Sequence, residues 1–288
     1  MTVAPPRLDR YIIAARLKGY LNKHEDAVAL LTEALEADPG NVRLLRFRGH
    51  RRISVRDFDG AIADLREAAA RLSEVPDEYE LYQKDVEPDA IRLVVGDPVE
   101  RDHHPAVAAI EGTPEAEQYM TTLHTAVWYH LAVALYVSGR LTDAVEAFAE
   151  AFATARHYEG KVASLDWSYM ALRRLGRDEE AEAILPRFTA LVDEYDAQGI
   201  GYHDRLQLYT GQITPEELSL RISDNPLLLA TVGYGLGNWY LYNGRPEEAR
   251  AAFDGVLATG ARHAFAYIAV EAELAGRGEL APTALQAH

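Results

Sequence analysis

Five side chains in this 288-residue sequence have the types that acid–base chemistry needs: Arg46, His50, Tyr129, His130 and Asp166. A histidine, a carboxylate and an arginine around one pocket could move a proton and hold the charge that develops. Nothing in their spacing requires them to meet, and a long irregular stretch separates His50 from His130. No residue is therefore assigned a catalytic role. His103-His104 would need a third ligand close by to hold a metal, and the pair reads as surface loop. His124 and His130 fall on one predicted helix but not at the spacing that shares a face. No His-Glu-x-x-His, calcium loop or phosphate loop with its lysine occurs, and no serine stands in a nucleophile elbow. Gly233, Gly235 and Gly237 lack dinucleotide-site spacing and fall inside a predicted helix, where small residues permit close packing. Cysteine is absent, which removes disulfides, thiolate metal sites and thiol nucleophiles. No metal or cofactor is expected.

Charge narrows the partners. Asp and Glu number 45 against 29 Lys and Arg, a net charge of −16, which disfavours nucleic acid. Lysine occurs only at 18, 23, 84 and 161, so arginine carries nearly all the positive charge. GC-rich coding is the plain explanation. Arginine's planar fork, suited to carboxylate and phosphate ligands, is the functional one. Residues 1–10 lack the basic-then-apolar run of a signal peptide. The longest apolar stretch, around 125–138, is broken by His130 and is too short to span a bilayer. A cytoplasmic protein is expected.

The elements that must position these residues are set by a repeated phrase. A glycine stands five residues ahead of an alanine, with large and small apolar residues after it: Gly139-Ala144-Phe148-Ala151, Gly176-Ala181-Leu185-Phe188 and Gly244-Ala249-Phe253-Val256. Without the glycine it recurs as Ala27-Leu31-Ala34 and Ala61-Leu65-Ala68. Ala27 and Ala61 are 34 positions apart, and Ala181 and Ala249 are 68 apart. Such a period marks stacked helical hairpins. The expected helices are 8–20, 24–37, 42–54, 57–72, 114–138, 162–175, 178–194, 228–242 and 246–259, with a capping helix over 264–275. Residues 196–229 read as irregular, one period long and thus a degenerate unit of the array, and 276–288 as a flexible tail. Residues 76–112, rich in proline and acid, read as an irregular insert between hairpins over 8–75 and 113–275. Thr113-Pro114-Glu115 would reopen the helical array.

The pattern resembles the tetratricopeptide repeat (TPR). The resemblance rests on Trp128, Leu131, Gly139, Ala144 and Phe148 in one unit, on Leu236, Gly237, Tyr240, Gly244, Ala249 and Phe253 in another, and on Tyr11, Ala27 and Pro39 in the first. It implies an all-α, right-handed α-solenoid of TPR-like hairpins with a concave groove lined by the first helix of each pair. The groove slots would hold Arg16, Tyr20, Arg43, Arg46, His50, Ser54, Tyr129, His130, Tyr136, Asp166, Trp167, Arg173, Arg174, Tyr234, Asn238 and Tyr242. Arg16, Arg46 and His50 would form part of a carboxylate clamp. The implied function is an interaction scaffold that binds a peptide or protein segment of anionic character. A small-molecule pocket or enzyme site closed by the 76–112 insert is the alternative, and a structural module without a groove ligand a third. Concave slots can also be buried by neighbouring hairpins, their tyrosines and histidines satisfying one another. Acidic residues of the insert could fold over the basic slots as a lid or internal ligand, or remain in solvent. The partner and the oligomeric state stay open.

Overall fold

The computed structural model describes residues 9–80, 121–195, 201–222 and 226–280. His103, His104, the Thr113-Pro114-Glu115 opening, most of the 76–112 insert and the end of the 276–288 tail lie outside them. The helices are α1 (Asp9–Tyr20), α2 (His24–Ala37), α3 (Val42–Ser54), α4 (Phe58–Ala70), α5 (Leu123–Val137), α6 (Leu141–Thr154), α7 (Tyr158–Arg174), α8 (Asp178–Glu182), α9 (Leu185–Tyr195), α10 (Tyr202–Tyr209), α11 (Pro215–Ile222), α12 (Pro226–Tyr242), α13 (Pro246–Ala258) and α14 (Phe265–Gly276). Among the described residues no helix is long and apolar enough to cross a membrane. The chain divides into two compact units, and the division falls within α5, between Leu131 and Ala132.

The first unit comprises Met1–Leu131 and Thr154–His157. In α2 the buried residues Ala27, Leu31, Ala34 and Leu35 recur at helical spacing. They join Ile12, Ile13, Leu44, Leu45 and Phe47 in one apolar cluster. Asn41 starts α3 by accepting a hydrogen bond from the Leu44 amide at 3.0 Å, and Asp57 does the same for Gly60 ahead of α4, also at 3.0 Å. Gly49 lets α3 and α4 approach: a Cβ there would lie 2.5 Å from Leu65 Cγ. After a 3₁₀ turn at Leu72–Glu74 the chain runs extended. Tyr79 bridges Thr122, the Leu123 amide donates to the Glu78 carbonyl at 2.8 Å, and the Glu80 amide donates to the Thr121 carbonyl at 3.0 Å.

The second unit comprises Ala132–Ala153 and Tyr158–His288. Its aromatic core centres on Trp167, fully buried, with ring centroids of Tyr136 at 4.9 Å, Tyr234 at 5.7 Å and Phe148 at 6.2 Å. Gly237 repeats the role of Gly49, since a Cβ there would lie 2.3 Å from Phe253 Cε1. The repeat glycines Gly139, Gly176 and Gly244 end their helices at φ of 80°, 70° and 68°. Asn22 and Arg56 occupy the same slot ahead of Ala27 and Ala61 and adopt the same left-handed backbone, at φ of 57° and 65°. The turn is kept where its glycine is not.

Three sequence expectations change. Within the described residues the helix expected over 114–138 begins at Leu123, where the Thr121 carbonyl and the Leu123 amide bond to the 78–80 strip; residues 114–120 of that expectation lie outside the described residues. The helix expected over 178–194 is broken into α8 and α9, and Pro186 lies in the first turn of the restart, where its missing N–H costs no helical bond. Residues 196–229, read as an irregular, degenerate unit, contain α10 and α11. Thr214 and Glu217 form a reciprocal cap before α11: Thr214 N donates to Glu217 Oε2 at 2.7 Å, and Glu217 N donates to Thr214 Oγ1 at 3.1 Å. Thr214-x-x-Glu217 was a readable helix start.

Candidate functional site

In the first unit, α1 and α3 gather four arginines, and the extended strip meets them with carboxylates. Arg46 is 5% exposed and donates from Nη2 to Glu80 Oε2 at 2.7 Å; Glu80 is 6% exposed. Arg43 Nε lies 4.0 Å from Glu78 Oε1. Glu78 and Glu80 are two residues apart on extended backbone, the spacing that puts side chains on one face. Burial raises the Glu80 carboxyl above its usual range even though Arg46, Arg16 and Arg43 oppose the shift. Arg51 lies flat on Gly19, where a Cβ would be 2.6 Å from its Cζ. Burial and the charges of Arg46 and Arg16 lower Arg51 to about 10. Arg16 donates to the Tyr20 hydroxyl at 2.8 Å. Asp77, just ahead, accepts from the His124 amide and from Arg156 Nη2, both at 2.9 Å.

His50 and His130 meet beside this group with ring centroids 4.4 Å apart. His50 Nδ1 is 3.5 Å from Arg46 Nη1. A guanidinium only donates, so that nitrogen is the acceptor and the His50 proton sits on Nε2. His130 Nδ1 lies 2.6 Å from the Ala126 carbonyl and must donate to it. Both imidazoles are held well below their ordinary pKa, first by burial; His50 is further lowered by His130, Arg51 and Arg46, and His130 by Arg46 and Arg51. They are neutral at pH 7. Tyr129 stands edge-on to His130 at 5.8 Å. Of the acid–base set, Arg46, His50, Tyr129 and His130 thus come together, whereas Asp166 belongs to the second unit. Ser54 is buried at the end of α3.

The remaining groove residues fall in the second unit, most of them inside it. Tyr136, Asp166, Trp167, Tyr234 and Asn238 are buried. The Tyr136 and Tyr234 hydroxyls share a hydrogen bond at 2.8 Å. Asn238 Nδ2 donates to the Tyr234 carbonyl at 2.9 Å, and the Tyr242 hydroxyl lies 3.1 Å from Asn238 Oδ1 and 3.2 Å from the Met170 carbonyl. Arg173 pairs with Asp178 at 3.0 Å and donates to the Tyr169 hydroxyl at 3.1 Å. Arg174 pairs with Glu273 at 2.9 Å and lies over the Tyr136 ring.

The residue that sequence reasoning missed is Arg205, on α10 in the stretch expected to be irregular. It has no exposed surface, and its Nη2 lies 2.7 Å from Asp166 Oδ2, also without exposed surface. Nη1 donates to the Thr231 carbonyl at 3.0 Å, and the guanidinium crosses Gly235, where a Cβ would be 2.1 Å from Nε. Burial raises the Asp166 carboxyl to about 7, with Arg205 opposing. The available signal was Gly235 within a helix, a residue that costs helical stability unless something must lie against it.

Residues 116–159 match the family model described as tetratricopeptide repeat. Two crystal structures of nearly identical TPR-like repeats, from a Podosopora anserina protein named for kinesin light chain, are similar to this chain: one at 17% identity, over 91% of this chain and 98% of that one, with a TM-score of 0.46. The other, a single-substitution variant of the same repeats, has the same identity and coverage and a TM-score of 0.47. No curated protein matches the chain.

Proposed function

We propose, from the premise that this chain is a tetratricopeptide-repeat protein, that it acts as a protein-interaction scaffold whose first unit takes an acidic peptide in extended conformation. The observation that carries the reading is the seating of Glu78 and Glu80 on Arg43 and Arg46. Two carboxylates at strand spacing meet two guanidiniums presented by one helix, with Arg16 and Arg51 adding charge around Arg46. Four arginines thus gather around two glutamates in a chain of net charge −16. Planar guanidiniums bind carboxylates with directional hydrogen bonds, which suits recognition of Glu or Asp side chains. An incoming acidic segment would replace the chain's own Glu78–Glu80 strip.

The test is fluorescence anisotropy with a labelled peptide of repeating Glu-Tyr-Glu, added to the full chain. Glu78→Gln and Glu80→Gln together should tighten binding by about tenfold, because the competing carboxylates are removed. Arg43→Glu should weaken it by at least as much. Absence of saturable binding to both the wild type and the double glutamine variant would reject the reading.

A further inference from the structure

The second unit holds a cleft that none of the groove residues lines. It has a volume of about 260 Å³ and lies among α6, α7 and the break between α8 and α9. Phe148 and Phe152 of α6, Leu165 and Leu172 of α7 and Ile184 at the break form its apolar walls. The cleft exists because the paired helix stops at Glu182 and restarts at Leu185.

Three polar groups give it a chemical preference. Ser168 is 7% exposed and lines the cleft. One turn earlier, Ser164 donates to its own helix at the Gly160 carbonyl, 2.8 Å away, whereas no residue among those described hydrogen-bonds the Ser168 hydroxyl. A hydroxyl in the lining of the cleft can donate to, or accept from, a polar atom held there. Arg187 stands at the rim with its guanidinium 4.2 Å from the Phe152 ring centroid, and no carboxylate pairs with it among the described residues. Glu180 also reaches the rim, but Arg177 holds it with two hydrogen bonds at 2.7 Å and 2.6 Å. The charge left uncompensated at the mouth is positive.

We infer that this cleft is a binding site for a small monocarboxylic acid, an acyl chain or single ring whose apolar body lies between Phe148, Phe152 and Leu165 and whose carboxylate meets Arg187. The volume is just under the range usual for drug-sized ligands, which limits the occupant to a medium acyl chain or one ring. The site is independent of the arginine group in the first unit.

Isothermal titration of the full chain with octanoate, and with octanol and octylamine as neutral and cationic counterparts, tests this. Octanoate should bind saturably at one site, with octanol about tenfold weaker and octylamine weaker still. Arg187→Gln, at an exposed position, should bring octanoate down to the level of octanol. Ala183→Leu, exposed at the lining of the cleft, should abolish both while circular dichroism stays unchanged. No saturable octanoate binding at millimolar concentration would overturn the inference. Binding that Ala183→Leu blocks but Arg187→Gln leaves unchanged would also overturn it, marking a cleft that takes apolar matter without reading a carboxylate. Arg43→Glu should leave octanoate affinity as it is, which separates this result from that of the peptide site.

Discussion

Two arginines in this protein lie flat against helical glycines, Arg51 on Gly19 and Arg205 on Gly235. A guanidinium is a plate, and only a residue without Cβ lets a plate rest on backbone. Burial first, and then the neighbouring arginines, keep His50 and His130 neutral. That has a consequence with a definite sign. Their folded pKa values lie below the unfolded value of 6.5, so the unfolded chain takes up protons first, and stability is lost as pH falls below about 6.5. Asp166 works in the opposite direction. Its folded pKa of about 7 exceeds the ordinary 3.8, so its contribution is lost as pH rises through about 7 and recovered on acidification. Glu80, raised by burial, has the same sign as Asp166. Thermal melts between pH 7.5 and 5.5 should therefore show His130→Gln losing less stability than the wild type on acidification, and Asp166→Asn losing more. Three parallel curves would contradict these assignments.

At the scale of the element, the recurring device is a left-handed residue five positions ahead of the repeat alanine. Glycine adopts that backbone freely, while a residue with a Cβ does so at a cost of roughly 1 kcal/mol. Gly139 and Gly244 have open space where a Cβ would go, so substitution there reads the backbone cost alone. Gly139→Ala should lower unfolding free energy by about 1 kcal/mol in urea titration. Arg56→Gly should raise it by about half that or more, net of the hydrogen bond Arg56 gives to the Ser54 carbonyl. Equal stability of wild type and both variants would mean the slot is not strained at Arg56. Element boundaries were legible wherever alanine, large apolar residue and turn agreed, as in α2, α3, α13 and α14. They were not legible at Leu123, where a distant strip supplies the hydrogen bonds, because such a partner leaves no local trace.

Over the whole molecule, a net charge of −16 coexists with arginines drawn into ion pairs and arginine-rich surroundings. Excess like charge destabilises a compact state through self-repulsion, and salt screens it. Raising sodium chloride from about 20 mM to about 200 mM should therefore raise the melting temperature while weakening the acidic peptide, since that encounter is attractive. Both quantities moving together would refute the assignment of the arginine group as the peptide's site. The sequence by itself determined the helical hairpins, their 34-residue period and the closely packed glycines, because those follow from side-chain size at fixed spacing along one chain. It also supplied the candidate list. Only the tertiary structure decided what its members touch: Arg46 with Glu80, His50 with His130, and Asp166 with Arg205 of the degenerate 196–229 stretch. The physical reason is that burial and pairing depend on residues far apart in sequence. Tyr136, Trp167 and Tyr234 carry the same residue types whether they line a groove or fill a core, and only packing tells the two apart.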